Sequence, residues 1–222
     1  MPRYRHIIWD WNGTLLDDVA HSVRVMNELL ALHQLPLLDR PRYLEIFDFP
    51  VRTYYERAGF DLSAEGTFEH LGRAWMQSYE DRRFACTLQP GARKILAAVD
   101  SAGLTQSILS AYPRLRLEEV VGHFGLVRHF VRILGLDDIY AHSKLALARR
   151  WHAELGIPAR EIALVGDTLH DFDVAEALGV DGFLVARGHQ SATRLRKHCA
   201  RVFESLDDLH AALGITASPP RG

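Results

Sequence analysis

Hydrophobic positions change their period several times along the chain, and each change marks an element. Ile7-Ile8-Trp9 is a short apolar run of β-branched and aromatic residues, the mark of a buried strand. It stops at Asp10, where Asn12-Gly13 breaks the ladder. Over residues 19–32 the apolar side chains Val19, Val23, Met26, Leu29 and Leu30 recur at helical spacing. Helix-like pieces rich in aromatics, among them Tyr54, Tyr55, Trp75 and Tyr79, fill residues 40–84 with no convincing strand. Pro90-Gly91 suits a helix start and Gly103 a helix end. Regular alternation follows, predicting strands over 105–109, 130–134, 162–165 and 182–186, with helices over 115–123, 144–155 and 172–178.

Strands separated by helices of this length predict parallel βαβ units and a three-layer α/β/α sandwich. The helical block falls between the first and second strands of that sheet, on the edge where such folds bind ligands, so it reads as an inserted cap. The expected division is a core of residues 1–16 and 86–216, a helical cap over 17–85, and a small Pro-containing tail over 217–222 that frays.

Composition narrows the partners. The 222 residues are 48% apolar and 24% charged, ordinary for a globular chain, and the net charge of -2 carries no footprint for nucleic acid or a membrane surface. Cys86 and Cys199 match no metal-ligand spacing and make a weak case for a disulfide. With no signal-like stretch and no run long enough to span a bilayer, a reduced cytoplasmic setting is the expectation. Oligomeric state is left open.

Polar residues stand at several strand ends. Asp10 closes the first strand, Ser110 the second, Lys144 follows the third, and Gly166-Asp167-Thr168-Leu169-His170-Asp171 follows the fourth. Each has a plain explanation alone: Asp10 in a turn, Ser110 and Asp167 as helix caps, Lys144 in solvent. Together, in this order, they point to a catalytic edge of an α/β sheet.

At these residues the chain resembles the haloacid dehalogenase superfamily of phosphotransferases, with four motifs in order over nearly its whole length. The first is Asp10-Trp11-Asn12-Gly13-Thr14, the second Ser110, the third Lys144 and the fourth the Gly-Asp pattern with Asp167 and Asp171. Leu16-Asp17, Asn27 and Pro90-Gly91 resemble the phosphoglycolate phosphatase and β-phosphoglucomutase-like group. The resemblance implies a Rossmann-like core and Mg2+. It makes Asp10 the nucleophile that forms an aspartyl phosphate, and Asp10, Asp167 and the main-chain carbonyl of Asn12 the metal ligands. Asp171 would act through water or as an orienting partner. It also implies that Lys144 balances the acidic cluster while Thr14, Ser110 and main-chain groups near Ala111 hold the phosphate.

One departure matters most. Hydrolytic members have Asp where this chain has Asn12, and a carboxamide cannot exchange a proton near neutral pH. A positioned acid or base is worth about 10² to 10⁴ in rate. Three accounts compete: substitution by His21, His170 or His189; a substrate with a good leaving group; or binding with little turnover. Ala111 replaces a common Asn, and Leu145 a common Pro. The Gly188-His189-Gln190-Ser191 loop resembles a subgroup that also carries Asp-Trp-Asn. On the cap, Arg52 is the candidate second anion contact, with an exposed helix arginine as the plain reading. The expected function is a Mg2+-dependent phosphatase-like hydrolase of a small phosphorylated metabolite. The alternatives are a phosphate-ester binding or regulatory protein and, less favoured, a phosphomutase.

Overall fold

In the computed structural model, which describes residues 3–136 and 144–215, the run that stops at Asp10 is a central strand. The chain begins with β1 (His6–Trp9) and a short β2 (Leu16–Asp17). Four helices follow: α1 (Val19–Leu32), α2 (Arg40–Ile46), α3 (Val51–Ala58) and α4 (Thr67–Arg82). β3 (Thr87–Leu88) then brings the chain back, and α5 (Ala92–Ser101), β4 (Thr105–Pro113), α6 (Arg114–His123) and β5 (Arg132–Leu136) continue it. The last stretch is α7 (Lys144–Leu155), β6 (Ile162–Gly166), α8 (Leu169–Leu178), β7 (Asp181–Val185), α9 (Ala192–Arg196), β8 (Val202–Phe203) and α10 (Leu206–Leu213).

Six strands form one sheet in the order β5-β4-β1-β6-β7-β8, parallel throughout. Such a sheet is buried on both faces, and the alternation in β1 shows how. Ile7 and Trp9 join a core with Ile95 and Leu96 of α5, Val121 of α6 and Leu209 of α10. Ile8 faces the other way, into a core with Leu147 and Trp151 of α7 and Val174 of α8. Ile8 is fully buried, so truncation to Ala would cost about 2–5 kcal/mol.

The helices α1 to α4 hold a separate apolar cluster that includes Met26, Leu30, Tyr43, Tyr54, Tyr55 and Leu71. Asn27 ties α1 to the segment before α2, donating from Nδ2 to Leu38 O and accepting from Leu38 N, each at 2.8 Å. β2 and β3 pair antiparallel, Leu16 opposite Leu88, so the chain leaves and rejoins the sheet through one two-stranded neck.

Boundaries differ from the hydrophobic pattern where side chains override it. The second sheet strand runs on to Pro113 through a register shift, which keeps Ser110 and Ala111 in extended backbone. The third begins at Arg132 and ends at Leu136. α8 starts three residues earlier than its apolar residues suggest, because Thr168 and Asp171 cap it reciprocally. β2, β3, β8 and α9 carry too few patterned residues to be read ahead. α10 does have a pattern, Leu206, Leu209 and Leu213 at helical spacing between Ser205 and Gly214, which the predicted elements omit. The tail over 217–222 lies outside the described residues. Among the described residues no helix is long and apolar enough to cross a membrane.

Candidate active site

The carboxyl ends of β1, β4 and β6 converge on one acidic cluster. Asp10 follows β1 directly, and its N–H donates to Val165 O of β6 at 2.8 Å, which fixes it at the edge of the sheet. Asp167 follows β6, and Asp171 stands in the first turn of α8. Carboxylate oxygens of Asp10, Asp167 and Asp171 lie within 4.8 Å of one another, and all three residues are buried. Lys144, at the start of α7, donates from Nζ to Asp10 Oδ1 and to Asp171 Oδ1, both at 2.5 Å. Thr14 Oγ1 lies 3.0 Å from Asp167 Oδ1 and 3.3 Å from Asp10 Oδ2, bridging the two.

Three buried carboxylates against one ammonium leave excess negative charge. Burial, with Asp171 and Asp167 adding to it, pushes the Asp10 carboxyl up to about 8 despite Lys144. Burial likewise raises Asp167 to about 6. Asp171 goes the other way: burial opposes its charge, but Lys144 and the Thr168 hydroxyl hold it below the usual carboxylate range. Lys144 is raised because Asp10 and Asp171 outweigh its burial. A hard divalent cation would relieve this excess, and an all-oxygen carboxylate set is the donor type Mg2+ takes, so the residues fit that ion.

The loop after β1 closes tightly around the cluster. Gly13 has φ +76°, and a Cβ there would stand 2.3 Å from Asp167 Oδ2. His189 N donates to the same oxygen, Asp167 Oδ2, at 2.6 Å. A Cβ on Gly188 would meet the same oxygen at 2.0 Å, so both glycines are required by close approach.

Position 12 sits in a network that includes a residue the sequence did not single out. Asn12 Nδ2 donates to Asp18 Oδ2 at 2.9 Å and to the Tyr79 hydroxyl at 2.8 Å. Tyr79 in turn donates to Asp18 Oδ2 at 2.7 Å, and Gly13 N donates to Asp18 Oδ1 at 2.8 Å. His189 Nε2 lies 3.2 Å from Asp18 Oδ1, and its Nδ1 lies 2.8 Å from the Tyr43 hydroxyl. Burial opposes charge on both partners of this pair. The imidazolium nevertheless holds Asp18 down to about 2, and Asp18 with Asp167 lifts His189 to about 9. Asp18 precedes α1 yet makes no side-chain cap bond to it, because its carboxylate turns into the site instead. The failure of an apparent cap is invisible in sequence; the only available hint is a second acid, beside Asp17, close behind a first motif that lacks its own.

A cavity of about 620 Å³ opens from the cluster toward the helices of the insertion. Asp10, Asn12, Ser110, Ala111, Lys144, Asp167, Asp171 and His189 all line it. His21 and His170 are not on its wall. His21 donates from Nε2 to Tyr79 O at 2.8 Å and accepts at Nδ1 from Arg24 Nη2 at 2.7 Å. His170 stacks on Phe49 with ring centroids 4.7 Å apart, and burial lowers its pKa. Arg52 reaches the wall with its charge already engaged: Nη2 donates to Leu62 O at 2.8 Å and Nε lies 3.4 Å from Glu56 Oε1. The loop after β7 joins the two parts of the molecule, since Gln190 Nε2 donates to Phe47 O at 3.1 Å and Arg194 Nη1 to the same oxygen at 2.6 Å.

A parallel sheet with buried carboxylates at the ends of its central strands, facing a cavity under an inserted helical layer, defines a phosphatase-like hydrolase. Residues 7–185 match the family of haloacid dehalogenase-like hydrolases, and the chain belongs to it. The chain is 27% identical to the tyrosine-protein kinase PtkA of Mycobacterium tuberculosis over 214 residues, covering 94% of this chain and 72% of that one. It is 28% identical to a phosphoglycolate phosphatase of Chromobacterium violaceum over 204 residues, 88% of this chain and 90% of that one. The crystal structure of a predicted phosphatase from Clostridium acetobutylicum shares the fold, with a TM-score of 0.81 at 19% identity over 95% of this chain and 98% of that one.

Proposed function

We propose that this protein is a Mg2+-dependent phosphomonoesterase that works through an aspartyl phosphate on Asp10. The observation that carries the reading is the placement of the Asp10 carboxylate, held by Lys144 at 2.5 Å at the mouth of a cavity and flanked by Asp167 and Asp171. Asp10, Asp167 and the main chain at Asn12 would hold the ion, with Asp171 orienting Lys144. Bound there, Mg2+ supplies the charge neutralisation that lets a carboxylate approach a phosphate dianion.

The chain's own residues do the rest. Asp10 attacks phosphorus, splitting one displacement into two. Lys144 favours the ionised form of Asp10 against its burial and orients it, Thr14 holds Asp10 and Asp167 in place, and Ser110 with the main chain at Ala111 holds phosphate oxygens. The relatives' names, a tyrosine-protein kinase and a phosphoglycolate phosphatase, have phosphoryl transfer in common. A small phosphorylated metabolite is the substrate scale that a cavity of about 620 Å³ admits.

The test is phosphate release from a panel of monoesters, with Mg2+ and with EDTA, by wild type and Asp10→Asn. Release that needs both Mg2+ and Asp10 supports the reading; release indifferent to Asp10 removes it. The locked Asn12 amide favours one second reading, a phosphate-ester binding protein with slow turnover, recognised by tight binding with Mg2+ and no release.

A further inference from the structure

Asn12 and the histidines that could stand in for it as proton donor are already hydrogen-bonded within the protein. Both N–H bonds of the Asn12 amide are taken, one by Asp18 and one by Tyr79. His189, the histidine on the cavity wall, has both ring nitrogens occupied, by Asp18 and by Tyr43. His21 is equally committed, to Tyr79 O and Arg24. A substrate that suits this site brings its own good leaving group.

The cavity wall says which kind. Beyond the acidic cluster it is mainly apolar, and Phe47, Phe49, Tyr54, Phe68, Trp75 and Met76 line it. Among the described residues on that wall, the Lys and Arg side chains are Lys144, bound to Asp10 and Asp171, and Arg52, bound to Leu62 O and Glu56. A two-carbon body with a distal carboxylate would leave most of these rings uncovered and would meet an Arg52 that already holds Leu62 O and Glu56. A ring can lie against them, beside the Tyr54 hydroxyl and Trp75 Nε1, which have no partner among the described residues. A flat apolar body would fill the space and exclude water from those rings.

We infer that the site takes aryl phosphates, monoesters of phenol-type alcohols, with the ring among the cap aromatics and the phosphate on Asp10. This rests on the phosphomonoesterase reading above. In the first step an Asp10 carboxylate oxygen forms a bond to phosphorus and the bond from phosphorus to the aryl oxygen breaks. The oxygen keeps the electron pair, departs as aryloxide and takes a proton from solvent. In the second step water bonds to phosphorus, the bond to Asp10 breaks, and the water proton passes to solvent, leaving phosphate and free Asp10. A phenol has a pKa of about 10. An alkyl alcohol leaves as an anion nearer in basicity to hydroxide, whose parent water has a pKa of about 16. Loss of a general acid, worth about 10² to 10⁴ in rate, therefore burdens an alkyl ester far more than an aryl one.

The experiment compares phenyl phosphate, benzyl phosphate, acetyl phosphate and phosphoglycolate with Mg2+. Benzyl phosphate keeps the ring but leaves as an alkyl alcohol; acetyl phosphate leaves well but has no ring. Phenyl phosphate is expected to exceed benzyl phosphate in kcat/KM by at least about 100-fold. In Asp10→Asn, calorimetry should show the two rings binding alike, each about tenfold or more tighter than phosphoglycolate, about 1.4 kcal/mol. Trp75→Ala should raise KM for phenyl phosphate by a clearly larger factor than KM for acetyl phosphate. Preference for phosphoglycolate, or equal rates for phenyl and benzyl phosphate, overturns the aryl assignment while leaving the phosphomonoesterase reading in place. No release from any of the four, with wild type binding Mg2+, removes both.

Discussion

Asn12 Nδ2 donates to Asp18 Oδ2 at 2.9 Å, so the carboxylate missing at position 12 has a buried counterpart one hydrogen bond away. This makes Asn12→Asp something other than a simple restoration. The new carboxylate would face Asp18 at the same distance, and two buried like charges that close cannot both ionise. We expect a loss of about 1–3 kcal/mol at pH 8, seen as a fall of roughly 2–4 °C in Tm per kcal/mol. The loss should shrink at pH 5 and largely vanish in Asn12→Asp with Asp18→Asn. A single variant as stable as wild type at pH 8 would contradict this.

Lys144 is the ammonium that holds both Asp10 and Asp171, at 2.5 Å each. Lys144→Met keeps the stem and removes the charge, leaving two carboxylates face to face. Breaking a buried pair in this way costs about 3–5 kcal/mol. Phosphate release should fall by about 10² to 10³ even where the variant is folded. Paired denaturation and rate measurements separate the two effects.

Stability should depend on pH and metal together. Asp10 and Asp167 have folded pKa values raised to about 8 and about 6, above their ordinary range. Their contribution is therefore present in acid and lost as pH rises from about 4 through those values. Asp18, held down to about 2, contributes above pH 4 and loses that contribution as pH falls toward 2. His189, raised to about 9, contributes below about pH 6.5 and loses it as pH rises through 9. Metal-free protein should thus be most stable in mild acid. Because Mg2+ must displace protons from Asp10 and Asp167, its stabilising effect should grow from pH 5 to pH 8. Melting curves with Mg2+ and with EDTA test this; a Mg2+ effect that is flat or larger at pH 5 would contradict it.

Gly188→Ala places a methyl group where Asp167 Oδ2 stands, 2.0 Å from the new Cβ. It should displace that carboxylate, weaken Mg2+ binding by calorimetry and cost about 1–3 kcal/mol. Gly122→Ala, inside α6 with nothing within 4 Å of the added Cβ, is the control. It should stabilise by about 0.4–1 kcal/mol.

The alternating strands and helices that make the sheet were legible because β1 and β6 carry apolar runs and β4 centres on Ile108-Leu109, each followed by polar residues. The order of Asp10, Ser110, Lys144 and Asp167 along the chain likewise follows from one strand end after another. Asp18 was not legible, since an acid before a helix ordinarily reads as its cap. Nor was the commitment of Arg52 to Leu62 O and Glu56, or the closure of both His21 nitrogens, because those depend on partners brought in by folding. The Gly188-His189-Gln190-Ser191 loop stood out in sequence, but its role as the bridge to Tyr43 and Phe47 needed the packed structure.

The most direct test of the central claim is whether phosphate passes through Asp10. An acid-quenched reaction of wild type with Mg2+ and phenyl phosphate should show phosphate on the peptide containing Asp10 by mass spectrometry. It should be abundant, because the locked Asn12 amide leaves the second step without a base at position 12. Asp10→Asn should show none and release no phosphate. Turnover by Asp10→Asn at the wild-type rate, with no labelled peptide in either protein, would contradict the account.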